Sequence, residues 1–267
     1  MKTNDHNIWV ILGSLSIIFH LWLVFSGLVP SLVSRPIHMA LALPWIFLYS
    51  PTNNYYKFTG SIITIIGILI CSYIALCEKN LSDQYGFLNS KIQIFISITL
   101  IIIILEMARR SIGLPLPLIA IIFLLYGFLG QYIPGEFGHP GIPINSLLGT
   151  MIITEGGIWG KLTGISVSVV AIFVILGAFL NAGEAGQGFM NFSILIAGKL
   201  KGGAAKVAVL SSALFGSISG SASANVASTG MITLPAMTKL GYPKRVSAAV
   251  EAVASTGGQI MPPLMGA

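Results

Sequence analysis

The chain has 267 residues, 55% of them hydrophobic and only 8% charged, with a net charge of +6 and a mean hydropathy of +0.89. Soluble domains carry roughly 25% charged residues, so this composition excludes a water-facing globular surface and suits a lipid-facing one. The basic residues stand singly or in pairs between apolar stretches, where they act as topology signals rather than as a nucleic-acid patch; Cys71 and Cys77 form no zinc or redox motif.

In chain order, Ile8–Val29 is the first apolar run. At 22 residues it exceeds the roughly 7–15 apolar residues of a signal peptide and has no A-x-A site, so it reads as a retained membrane helix. A spanning helix needs about 20 mostly apolar residues. Further candidates are 37–50, 58–77, 91–107, 114–133 and 162–181. The second is short and contains Pro44, which predicts a kinked or partly interfacial helix. Residues 134–160, opening with PGEFGHPGIPIN, predict extended and turn structure rather than a packed domain. Trp9, Trp22 and Trp45 read as interfacial or lipid-facing aromatics.

With the N-terminus cytoplasmic and the spans alternating, ten basic residues fall inside: Lys2, Lys57, Arg109, Arg110, Lys199, Lys201, Lys206, Lys239, Lys244 and Arg245. Four fall outside, Arg35, Lys79, Lys91 and Lys161, which completes the chain's 14. The positive-inside bias therefore holds, with Arg109-Arg110 as its anchor and anionic lipid as a lesser role for that pair.

Lys206 and Lys239 bracket 32 residues without a charge. One straight helix of that length would measure about 48 Å, against a hydrocarbon core of about 30 Å. Both ends are basic and the middle, Gly216 to Asn225, is the most polar and least helix-favouring part. A hairpin entering from the cytoplasm and turning near the midplane, with arms of about 14 residues, accounts for all three features. Non-helical backbone at that depth must be buried in protein or line a wet cavity, and transporters place ions and substrates at such breaks. The alternative is a packed plain helix, because Gly216-x-x-x-Gly220 is also a helix-packing motif. A second break is expected from Ser255 through the Gly257-Gly258 and Pro262-Pro263 pairs, about 15 Å past Arg245. Glu251 lies on the helix before it, either tuning a cation site or relaying a proton, or else serving as a polar or ionic packing contact. Glu184 reads as interfacial.

The run GGAAKVAVLSSALFGSISGSASANVASTGMITLPAM, followed by GYPKRVSAAVEAVASTGGQIMPP, resembles the large membrane subunit of TRAP transporters. It is more similar still to fused permeases that join small and large membrane subunits and pair with a TAXI-type periplasmic binding protein. The likeness runs from about residue 106 to the end and is sharpest over 202–267. It implies two parts: 1–105, small-subunit-like helices, and 106–267, the N-terminal part of a large-subunit-like transport domain. The implied fold is an all-α, multi-pass integral membrane protein with a re-entrant hairpin and a broken helix, the first half of an inverted-repeat elevator. The second repeat of such a core is not reached by Ala267, so a fragment, a disrupted gene or a second half carried on a separate chain is expected.

The resemblance also implies sodium as the coupling ion, with no other cofactor and no transition metal. Its ligands carry over to Ser217, Ser219, Gly220, Ser221 and Asn225 in the first turn, and to Ser255, Thr256, Gly257 and Pro262 in the second. Ser223, Gln259 and Glu251 are candidates for substrate or coupling. The implied partners are the binding protein, membrane lipid and an organic, carboxylate-bearing anion, in the bacterial inner membrane. A membrane serine hydrolase using Ser219 or Ser221 would need a base. The four histidines, His6, His20, His38 and His139, all lie outside the Gly/Ser-rich region, so no catalytic residue is expected. A structural assembly of small-residue helices leaves the two breaks unexplained.

Overall fold

A computed structural model describes residues 3–49, 54–183 and 185–262, which form helices and the turns between them. Glu184 and Pro263, singled out from sequence, lie outside the described residues, as does the end of the chain. Two compact units divide the chain, Met1–Val167 and Ser168–Ala267. Among the described residues, six helices are long and apolar enough to cross a membrane: His6–Phe25, Ser31–Leu48, Tyr55–Leu76, Lys91–Ile112, Pro115–Tyr132 and Lys161–Leu180.

The first unit holds α1 (Thr3–Phe25), α2 (Ser31–Leu48), α3 (Asn54–Leu76), α4 (Glu78–Ser82), α5 (Lys91–Ile112), α6 (Pro115–Leu129), α7 (Ile144–Ile153) and α8 (Lys161–Ile165). Its core is built on α2, α3, α5 and α7, where Leu43, Phe47, Cys71, Ile74, Leu100 and Ile152 are buried. Ser90 and Gln93 start α5 with a capping box, each side chain taking a backbone N–H of the other. α2 starts six residues before the apolar run at 37 and carries Pro36 and Pro44 inside it. Its polar first turns are held from outside: Ser31 donates to Glu155 at 2.5 Å, and Arg35 donates to the Trp159 carbonyl.

The 134–160 segment corrects the expectation of extended and turn structure. Residues 144–153 are helical, and Leu148, Ile152, Ile153 and Trp159 enter the core, Trp159 with no exposure at all. The Trp159 indole donates to the Ile152 carbonyl at 2.7 Å, and Asn145 exchanges hydrogen bonds with Leu88. Glycine and proline shape the bends here, but the intervening Ile and Leu residues bury apolar surface that outweighs their local turn preference.

The second unit begins within a π-helical turn, Ser166–Val170, that continues α8 into α9 (Ala171–Ala182). There follow α10 (Ala185–Ala197), α11 (Gly203–Ser219), α12 (Ala222–Lys239) and α13 (Lys244–Gln259). α10 has no counterpart in the sequence reading; at 13 residues it is about 20 Å long, too short to register as a span. It packs on α11 through Met190, Ala197 and Val207. α11, α12 and α13 pack on one another.

Candidate cation and substrate site

α11 and α12 form a helical hairpin with a turn of only two residues. Gly220 closes α11 at φ 60°, a left-handed conformation that costs glycine little, and its N–H reaches the Gly216 carbonyl at 3.0 Å. Ser221 is extended and caps α12, its hydroxyl accepting from the Ala224 N–H at 3.3 Å. The arms are 17 and 18 residues long rather than about 14, because the helices run past Lys206 and through Lys239. Lysine stems allow this, since they can lie along apolar surface while the ammonium reaches water.

Asn225, Thr229 and Thr233 repeat every fourth residue on α12, and Glu251 and Ser255 do so on α13, which puts each set on one face. These two faces and Ser212 of α11 converge. Thr229 donates to Glu251 Oε1 at 2.5 Å, and Thr233 donates to Oε2. Ser212 lies 3.3 Å from the Thr229 hydroxyl and 3.4 Å from that of Ser255. Asn225 donates from Nδ2 to the Ser212 carbonyl at 2.8 Å and to the Ser255 carbonyl at 3.5 Å, tying both other helices to α12. Glu251 is 1% exposed, and among the described residues no basic side chain pairs with it.

The contact pairs define the geometry. Ser212 meets Ser255 and Gly216 meets Gly258, a nearly constant offset, so α11 and α13 run parallel. Thr229 and Thr233 meet Glu251 while Asn225 meets Ser255, so α12 runs antiparallel to α13. The end of α13 therefore lies level with the Gly220-Ser221 turn. Two helix C-termini, with carbonyls left over from the helical ladder and partial negative charge, meet one N-terminus of opposite sign.

The residues carried over from the family likeness fall into distinct settings. Asn225, Ser255 and Glu251 come together in the buried network. The Ser219 hydroxyl is buried without a hydrogen-bond partner. Ser219 is also among the residues that line a cavity of about 310 Å³, with Gly177, Phe215, Ile218 and Ser228. Ser217 is occupied by the Leu214 carbonyl, and Ser221 is occupied as a cap with Ser223 3.1 Å away. Thr256 is exposed and donates back to Ala252, Gly257 faces open space, Gln259 ends α13 half-buried and Pro262 is exposed.

The break expected from Ser255 starts later, since α13 stays helical through Gln259. Glycine weakens a helix by about 1 kcal/mol, but Gly258 is required by packing. A Cβ there would stand 2.7 Å from Asn225 Nδ2 and closer still to the Ser212 carbonyl. Ser212, Thr229 and Thr233 were not singled out from sequence, although the four-residue spacing of Asn225, Thr229 and Thr233 signals a shared polar face.

The described residues are helical with six candidate spans, which defines a multi-pass membrane protein, and its short-turned hairpin packs on a helix with a buried carboxyl group. Residues 99–267, more than half the chain, match the family described as tripartite ATP-independent periplasmic transporter, DctM component, and the chain belongs to that family. The family is one of transporters, not of enzymes. The chain is 35% identical over 94 residues to the C4-dicarboxylate TRAP transporter large permease protein DctM of Pseudomonas aeruginosa, covering 35% of this chain and 22% of the relative. It is 30% identical over 136 residues to the protein of the same description from Rhodobacter capsulatus, covering 46% and 31%. It is 36% identical over 97 residues to the isethionate TRAP transporter permease protein DctMQ of Oleidesulfovibrio alaskensis, covering 36% and 15%. The matched stretches thus span between 15% and 31% of these relatives' own lengths. No solved structure matches the chain.

Proposed function

We propose that the chain is the membrane permease component of a sodium-coupled importer of organic anions that receives its substrate from a periplasmic binding protein, of the TAXI type. The observation that carries this reading is Glu251, buried between two helices with hydroxyl partners and no basic one among the described residues. A carboxyl group so placed needs a proton or a cation to offset its charge. The adjoining end of the bundle offers hard oxygen donors and the negative ends of α11 and α13, which suit sodium. The N-terminus of α12, at the same end, suits the carboxylate of a substrate. Relatives named for C4-dicarboxylates and isethionate are consistent with an anionic substrate.

In this reading Ser219, Gly220 and the last carbonyls of α13 hold the ion, the hairpin is re-entrant, and it moves as part of an elevator. Ser255 and Asn225 hold the helices in register, and Glu251 sets the potential. Residues 1–105 act as the small-subunit-like part. The N-terminus is cytoplasmic in the bacterial inner membrane, and the 134–160 segment, with Phe137 exposed, contributes to docking the binding protein.

Uptake by the assembled transporter in proteoliposomes, measured against sodium concentration, tests the ion site. Losing a charge-assisted contact costs about 1.5–3 kcal/mol, so Ser219→Ala is expected to raise the sodium concentration for half-maximal uptake roughly tenfold or more. Unchanged sodium dependence would place the ion elsewhere.

A further inference from the structure

We propose that His20, His38 and Ser166 form a proton-binding site, separate from the α11–α13 network, that takes one proton at a time. His20 lies on α1 and is 4% exposed. Its Nδ1 is 2.6 Å from the Ser16 carbonyl and its Nε2 is 2.7 Å from Nδ1 of His38 on α2. On its other side, His38 Nε2 is 3.1 Å from the hydroxyl of Ser166, where the chain enters the π turn. A carbonyl only accepts, so His20 carries its hydrogen on Nδ1 and accepts at Nε2. His38 therefore donates from Nδ1 and accepts from Ser166 at Nε2. The neutral chain is complete in one direction, from Ser166 to Ser16, and joins three helical segments.

A proton added at His38 Nε2 needs no movement of heavy atoms. The Ser166 hydroxyl rotates to accept, and the imidazolium then donates to His20 and to Ser166. A second proton would have to sit on His20 Nε2 and put two hydrogens into the 2.7 Å gap. A metal ion does not fit the same gap. Two imidazole nitrogens sharing a tetrahedral zinc at about 2.0–2.1 Å stand roughly 3.3 Å apart. The described residues also bring no third His, Cys, Asp or Glu to the pair.

The surrounding charges are few. Arg35, one turn before His38, is held by the Trp159 carbonyl and stands 3.8 Å from Glu155. On α8 the charged group is Lys161, at its start, and on α1 the charged and titratable groups, Asp5 and His6, lie four turns from His20. Gly67 of α3 packs on Leu43, a register that brings Cys71 and Tyr73 level with His38 while Lys57 lies at the far end. α5 carries its charges at its ends, Lys91 on one side and Glu106, Arg109 and Arg110 on the other. Phe19 flanks His20, its ring centre 5.2 Å away.

The test is a pH titration from 4 to 9 of the full chain, labelled with nitrogen-15 histidine, in phosphatidylcholine nanodiscs. The two rings are assigned by loss of signal in His20→Gln and His38→Gln. The expected result is one step that shifts both rings together with uptake of one proton, and a midpoint at least one pH unit lower in Ser166→Ala, a tenfold weaker proton affinity. Two independent steps, no step in this range, or displacement of the protons by added zinc would overturn the site. If a histidine variant does not fold, the step count in the unsubstituted chain and the Ser166→Ala shift decide the matter.

Discussion

Gly216 of α11 rests directly on Gly258 of α13, so that a Cβ on Gly216 would stand 2.8 Å from the Gly258 Cα and nearer still to its carbonyl. This contact sets the spacing that lets Ser212, Asn225, Thr229, Glu251 and Ser255 reach one another. Three neighbouring glycines consequently have different tolerances. Ala at 216 or 258 would force the helices apart, and overpacking of this kind typically costs about 1–3 kcal/mol. Ala at 257, which faces open space, removes a helix-weakening glycine and is expected to be neutral or stabilising by up to about 1 kcal/mol. Thermal unfolding in detergent should rank Gly257→Ala at or above the unsubstituted chain, with Gly216→Ala and Gly258→Ala below it. Equal melting temperatures for all three would remove the close contact.

Asn225 is fully buried and is the only residue of the network whose side chain donates to the backbones of two other helices. Asn225→Asp keeps its size but loses both donors and adds a charge facing two carbonyls. Leaving buried polar groups unmatched costs about 1–3 kcal/mol, more where a charge is involved. Asn225→Asp should therefore destabilise the chain more than Asn225→Ala does. The order is read from urea or thermal unfolding of the two variants side by side; the reverse order would count against the carbonyl pairing.

Glu251→Gln tests charge apart from shape. The amide has the same outline and can still accept from one threonine, but Thr229 or Thr233 must then reverse to meet its NH₂. The fold is expected to survive and the sodium dependence of uptake to change by roughly tenfold or more, because the amide can supply no carboxylate to a cation in the buried site. A variant with wild-type sodium dependence and lowered stability would make Glu251 a packing group only.

The hairpin topology can be read by labelling. Cysteines placed singly at Lys206 and Lys239, in a background lacking Cys71 and Cys77, should both react with a membrane-impermeant reagent added from the cytoplasmic side. Reaction from opposite sides would make α11 and α12 one crossing and would end the re-entrant reading.

The amino-acid sequence by itself determined the membrane class, the approximate positions of the six long apolar helices, and the turn between α11 and α12. Each of these rests on a local property. Apolar runs of that length are kept from water by crossing the lipid, and Gly220 followed by Ser221 supplies a left-handed stop and a helix cap within two residues. Tertiary structure decided what happens where local preference is weak or is overruled. α13 runs on through Gly257 and Gly258, because the α11 backbone lies too close for any larger residue at 258. Trp159 and α7 join a core although the glycines and prolines around them favour turns. His20 meets His38, and Glu251 meets two threonines, across 18 to 22 residues and between different helices. Such meetings depend on how helices are rotated and paired, which the pattern within any one helix does not specify.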